Sequence, residues 1–91
     1  MQFEWNSDKA NLNLKKHGVS FIEASTVFND PLSVTFPNQD YSYREERYVI
    51  IGLPSASRVL VVPHPDRADR IRIISARKAT RNERRFYEDG K

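Results

Sequence analysis

Apolar and polar positions follow two different periods along this chain. Phe21, Ala24, Val27 and Phe28 recur at helical intervals, the mark of an amphipathic helix. Arg47 to Leu53 and Arg58 to Val62 are short runs rich in β-branched residues, the mark of strands. The Pro54-Ser55-Ala56-Ser57 link between them predicts an antiparallel hairpin. Leu32 to Phe36 reads as another strand, and Phe3-Glu4-Trp5 as a short first one. A turn around Pro65-Asp66 leads into a further strand, Arg70 to Ala76.

Punctuation residues bound the helices. Asn6 or Ser7 can cap a first helix that runs to about Lys16, and Gly18 suits the left-handed position that ends it. Ser20 and Glu23 have capping-box spacing, as do Thr80 and Glu83, so helices open at both places. Asn29-Asp30-Pro31 stops the second helix, because proline disfavours a helical residue before it. The last helix covers about Arg81 to Asp89. Phe86 is its only strongly apolar residue, with Tyr87 beside it. The order reads as one α+β domain over residues 1–91: a small antiparallel sheet with two N-terminal helices and one C-terminal helix. A chain this short buries only about 60–65% of its unfolded surface, so one thin core is expected, a sheet with helices on one face.

Charge changes this picture at one end. Residues 1–66 hold 6 Lys/Arg against 8 Asp/Glu, and residues 67–91 hold 9 against 4. The basic excess therefore sits in the last quarter, which suits a polyanionic partner as well as a solvated basic face. There is no cysteine, hence no disulfide or thiolate metal site, in keeping with a reducing compartment. The apolar runs are far shorter than the roughly 20 residues that span a bilayer, and Met1-Gln2-Phe3-Glu4-Trp5 does not read as a signal sequence. A soluble cytoplasmic protein with no membrane partner is expected.

The inventory also narrows the chemistry. His17 and His64 are the only histidines and Gly18, Gly52 and Gly90 the only glycines. No HExxH, CxxC, phosphate-binding glycine loop or GxSxG elbow exists, so neither metal nor cofactor is expected. Cations, histidines and tyrosines remain. They suit cleavage of RNA by its own 2′-hydroxyl, which needs a base, an acid and cations around the phosphorane-like transition state. Imidazole can take either proton role, and arginine forks onto phosphate oxygens.

Strand parity suggests where such groups meet. Leu60, Val62 and His64 alternate with Val59, Val61 and Pro63, while Arg72 alternates with Ile71 and Ile73. A hairpin at Pro65-Asp66 would bring His64, Arg67 and Arg72 to one end of one sheet face, and Arg77, past the strand, could turn in toward it. Lys9, Asn13 and Lys16 share one face of the first helix and could track a phosphate backbone. Each residue also has a plainer reading. His64 fits a turn, and His17 fits the C-terminal end of its helix dipole. Arg72 fits a solvated sheet face, and Arg81, Arg84 and Arg85 fit a basic helix face. RNA cleavage and nucleic-acid binding without cleavage both remain open on these grounds.

The order of motifs is more specific. Trp5, Lys9, Asn13 and Lys16-His17-Gly18 come first, then Val19-Ser20-Phe21, Val27-Phe28 and Asp30-Pro31. Glu45-Glu46-Arg47-Tyr48, Ile51-Gly52, Val61-Val62, His64 and Arg67 follow. Ile71-Arg72-Ile73-Ile74-Ser75-Ala76-Arg77 comes next, then Ala79-Thr80, Glu83-Arg84 and Tyr87. This series resembles the BrnT toxins of bacterial type II toxin–antitoxin systems over nearly the whole chain. Pro63 and Pro65 flank His64 where β-branched residues are commoner in that family. The resemblance implies a RelE-like fold and a metal-independent endoribonuclease that arrests translation. It implies RNA as substrate and a BrnA-like DNA-binding antitoxin as partner, with operator DNA met only through their complex. The alternative is a non-catalytic corepressor subunit. Carried over to this chain, His64, Arg67, Arg72 and Arg77 are the expected catalytic positions. Lys9, Lys16, His17, Arg81 and Arg84 are expected to guide RNA.

Overall fold

Capping chemistry sets the helices. Asn6 accepts the Lys9 N–H at 3.1 Å and starts α1 (Ser7–His17). Gly18 ends it at φ 69°, its N–H returning to the Leu14 carbonyl, a conformation that costs other residues a Cβ clash. Ser20 Oγ accepts the Glu23 N–H at 3.0 Å and starts α2 (Phe21–Thr26), which tightens into a 3₁₀ turn, Val27–Asn29. Only half of that expected capping box forms. The Glu23 carboxylate instead grips Arg58 with two bonds, of 2.9 and 2.8 Å, and Arg58 also donates to the Gly18 carbonyl at 2.8 Å. The box at Thr80 is complete, with Glu83 N–H to Thr80 Oγ1 at 3.2 Å and Thr80 N–H to Glu83 Oε1 at 2.9 Å, and opens α3 (Arg81–Asp89).

The computed structural model describes residues 2–37, 47–54, 58–65 and 70–89. Its strands are β1 (Gln2–Glu4), β2 (Val34–Pro37), β3 (Arg47–Gly52), β4 (Leu60–Pro65), β5 (Arg70–Arg72) and β6 (Arg77–Lys78). The β3–β4 hairpin is antiparallel, Gly52 opposite Leu60, and the larger sheet runs β2-β3-β4-β6. The expected strand from Arg70 to Ala76 is not one strand. Its first part is β5, parallel to β1 with Phe3 opposite Ile71, in a separate two-stranded sheet. Its continuation crosses over to become β6, where Arg77 lies opposite Val61. The hairpin expected between β4 and Arg70–Ala76 is therefore absent from the larger sheet.

Asn13 accounts for the crossing. It is buried, not part of a solvated helix face. Its Nδ2 donates to the Ala76 carbonyl at 2.8 Å and to the Val19 carbonyl at 3.0 Å, and its Oδ1 accepts the Ala76 N–H at 3.2 Å. The carboxamide thus gives Ala76 the two bonds a neighbouring strand would give, between one sheet and the next. Buried backbone polar groups need such partners.

Both faces of the larger sheet are covered, not one. Ile50, Leu60 and Val62 pack with Val19, Phe21, Ala24 and Val27 from α1's end and α2, and with Ile73 and Ala76. Val49, Ile51 and Val61, of opposite parity, pack with Tyr87 of α3. α3 is turned so that Tyr87 is buried and Phe86 is 50% exposed. Tyr87 has a polar tip as well as a ring, and its hydroxyl donates to Asp30 Oδ2 at 2.5 Å. Asp30 also accepts the Leu32 and Leu53 N–H groups, both at 2.9 Å. Burial and the Asp30 carboxylate push the Tyr87 phenol up to about 12, the hydrogen bond being the larger cause. Gly52 completes this corner: a Cβ there would lie 2.7 Å from Val27 Cγ1. The prolines of β4 are tolerated because β6 pairs only with Leu60 and Val61, leaving the strand beyond them one partner.

Asn13→Ala leaves three buried backbone groups without a partner, each worth about 1 kcal/mol or more. The unfolding free energy in urea is expected to fall by about 3 kcal/mol. A loss well under 1 kcal/mol would show that the crossing does not depend on the carboxamide.

Candidate nucleic-acid interface

Helical spacing builds one wall of a basic cleft. Lys9, Asn13 and Lys16 lie at i, i+4 and i+7, on one side of α1. Asn13 points in, and the lysines on either side of it are left at the rim. Lys15, Lys16 and His17 crowd the last turn, where cations are favoured by the helix dipole. The opposite wall is Ile74 and Ser75, in the crossing that Asn13 holds. Together they enclose about 500 Å³, lined by Lys9, Leu12, Asn13, Lys15, Lys16, His17, Ile74 and Ser75. Three lysines, a histidine and a serine line this space, and among the described residues no carboxylate does. Ser75 Oγ donates to Asn13 Oδ1 across a long 3.4 Å, leaving the hydroxyl easily redirected to an incoming anion.

Three of the expected RNA-guiding residues, Lys9, Lys16 and His17, are thus gathered in one place. Lys15 and Ser75 join them. Sequence reading did not single out Lys15 and placed Ser75 within a strand. Arg81 and Arg84 are exposed on α3, away from this cleft.

The expected catalytic positions are not brought together. His64 lies on the α2 side of β4, 7% exposed, edge-on to Phe28 with ring centroids 5.0 Å apart and stacked on Tyr48 at 6.1 Å. Its Nδ1 is 3.4 Å from the Pro65 carbonyl. Arg77 lies opposite Val61, so it projects from the other face of the sheet, toward α3. Arg72 lies opposite Glu4 on β5, two residues before the cleft wall, and no ion pair ties it to another described residue. Arg67 lies outside the described residues. Among the described residues no group of three or more His, Cys, Asp or Glu is placed to hold a metal ion. No helix among them is long and apolar enough to cross a membrane.

Arg77 has a carboxylate partner. Its two terminal nitrogens donate to the two Glu83 oxygens at 2.7 and 2.8 Å. The Arg77 guanidinium, helped by the Thr80 N–H, holds the Glu83 carboxyl down at about 2. The same pair pushes the arginine further up. A carboxyl whose folded value is depressed stabilises fully above its unfolded value, near 4.5, and loses that contribution as pH falls toward 2. The pair is partly solvated, so the contribution is on the order of 1 kcal/mol. Glu83→Gln keeps the cap and removes the charge. Its melting temperature is expected to lie below wild type above about pH 5 and to converge with it between pH 4.5 and 2. A gap that stays constant through that window would assign the effect to something other than the ion pair.

Residues 5–83 match the family of BrnT ribonuclease toxins of type II toxin–antitoxin systems. The fold is also that of the Brucella abortus ribonuclease toxin BrnT, whose crystal structure superposes with a TM-score of 0.69 at 21% identity, over 89% of this chain and 99% of that one. Likeness at that identity speaks for the fold alone. No curated protein sequence matches. The motif series runs from Trp5 to Tyr87 and the family match covers all of it but Arg84 and Tyr87, and the chain belongs to the BrnT family of ribonuclease toxins of type II toxin–antitoxin systems.

Proposed function

We propose that this chain is a metal-independent, RelE-like endoribonuclease acting in the cytoplasm, which cleaves RNA through its 2′-hydroxyl and so arrests translation. A BrnA-like DNA-binding antitoxin neutralises it, and operator DNA is met only through that complex. The observation that carries the reading is the composition of the α1 cleft: three lysines, one imidazole and one hydroxyl, with no carboxylate among the described residues. Such a lining attracts a phosphodiester and repels nothing on it.

In this reading Lys9, Lys16 and Ser75 hold the scissile phosphate. The His17 imidazole takes the proton of the 2′-hydroxyl. The freed oxygen attacks phosphorus, the bond to the 5′-oxygen breaks, and that oxygen takes up a proton from water, the imidazolium returning its own proton to solvent. The products are a 2′,3′-cyclic phosphate and a 5′-hydroxyl. Cations facing the phosphate stabilise the charge that builds on its oxygens. Arg72 reaches the phosphate from the strand leading into the cleft wall, and Arg67 stays in the set on the family resemblance alone. Arg81 and Arg84 guide the chain outside the cleft. His64 and Arg77 act from a distance, His64 through the core beneath α2 and Arg77 through the seat of α3.

The test uses a fluorogenic oligoribonucleotide in EDTA, with the products examined for cyclic phosphate. Cleavage is expected without added metal. His17→Ala is expected to lower kcat by about 10² to 10⁴, the usual range for losing a proton-transfer group, with KM little changed. Lys16→Gln should act mainly on KM. Cleavage that appears only on adding a divalent cation would overturn metal independence, and an unchanged His17→Ala rate would remove the imidazole from the chemistry.

A further inference from the structure

A second concave surface lies across the β6 strand from the first. It encloses about 580 Å³ between the β4–β6 edge and α3. Leu53, Val59 and Ala79 give it an apolar floor, and Arg58, Lys78 and Arg84 give it a cationic rim, with Glu88 as the one carboxylate among the described residues. The three cations are not equivalent. Arg58 is fully engaged with Glu23 and the Gly18 carbonyl, whereas Lys78 and Arg84 are exposed and no ion pair ties either to another described residue.

The two clefts are joined at two points. Ser75 lines the first and Lys78 the second. Two residues of chain lie between them, so they are three steps apart, at most about 11 Å. His17 lines the first cleft, and the carbonyl of its neighbour Gly18 is held by Arg58, which lines the second. A polyanion leaving the lysine cleft along this segment meets Lys78 and Arg84 next, with Glu88 beside them. An apolar floor with a cationic rim is the lining that single-stranded nucleic acid takes, sugar and base below and phosphates along the edge.

We infer that the Lys78–Arg84 cleft is a second phosphate subsite, which holds single-stranded RNA one or more nucleotides away from the phosphate bound at Lys16 and His17. This rests on the first cleft being the RNA site proposed above. Lys78 and Arg84 touch backbone phosphates there and take no part in bond breaking.

The experiment measures binding of 2′-O-methyl oligonucleotides, which lack the attacking hydroxyl, as a function of salt. A trinucleotide reports the first cleft, and an oligomer of about twelve nucleotides reports both. Each phosphate contact on a single strand contributes about 0.7 to the slope of log K against log salt. In wild type the longer oligomer should bind with a slope steeper than the trinucleotide's by about 1.4 or more. In Lys78→Gln/Arg84→Gln that excess should fall by about 1.4, and the charge-preserving pair Lys78→Arg/Arg84→Lys should restore it. If the double variant leaves the longer oligomer's slope unchanged, the second subsite is wrong. It is also wrong if both oligomers weaken equally, because the cations then act on the first cleft or on the fold. If the trinucleotide fails to bind wild type at all, the proposed RNA site itself fails, an outcome distinct from the other two.

Discussion

The Asn13 carboxamide is the contact on which the arrangement depends. A chain that leaves one sheet and joins another passes through a point where its backbone has no strand on either side. Here that point is Ala76, buried, and its N–H and carbonyl both find Asn13. The third bond, to the Val19 carbonyl, ties the same amide to the link between α1 and α2. One side chain thereby fixes the separation of α1 from the β5–β6 crossing. Those two segments are also the walls of the lysine cleft, so the fold's internal pairing and the shape of its basic surface have a common origin.

Charged residues divide according to whether a carboxylate fork is within reach. Arg58 meets Glu23 with two bonds and Arg77 meets Glu83 with two. A planar guanidinium held in that way is committed to fixed geometry. Arg58 seats the β4 strand against the α1–α2 corner, and Arg77 seats α3 against β6. The Asp30 carboxylate plays the matching part for neutral donors, collecting Leu32, Leu53 and the Tyr87 hydroxyl. Lysines and arginines beyond such reach stay at the surface, and they border both clefts. Composition counts these groups alike; geometry separates cations that hold the fold from cations left at the surface.

What was legible in the sequence was local. Caps at Asn6, Gly18, Ser20 and Thr80 depend on bonds to residues three or four positions away, and the helices begin and end where those residues put them. The β3–β4 hairpin is likewise encoded in a short link. The misreadings concern contacts between distant residues. Asn13 and Ala76 are 63 positions apart, so an asparagine between two lysines on a helix looked like part of a solvated face. Nothing between Ile71 and Arg77 marks the strand break, because every residue there suits a strand and the break comes from a partner elsewhere. Tyr87 over Phe86 was settled by the distant Asp30. His64 was placed on the right strand and parity, but its burial against Phe28 and Tyr48 comes from elements that sequence spacing does not align.

The same distinction bears on how the site can be probed. His17 and Lys16 stand at the rim of a wall whose position is set by Asn13, from which they are four and three residues removed. Changes at Asn13 shift the wall, and so alter binding and stability together. Changes at the rim leave the buried bonds intact, because neither Lys16 nor His17 supplies one to the crossing. Ser75 is intermediate: its hydroxyl touches Asn13 at 3.4 Å, too long to hold the amide strongly, yet it faces the cleft. A residue bonded weakly to the scaffold and open to the ligand can serve either without much cost to the other. That makes the crossing segment, rather than the basic helix α3 where the arginines are most concentrated, the part of this chain that the fold's internal pairing and the basic cleft share.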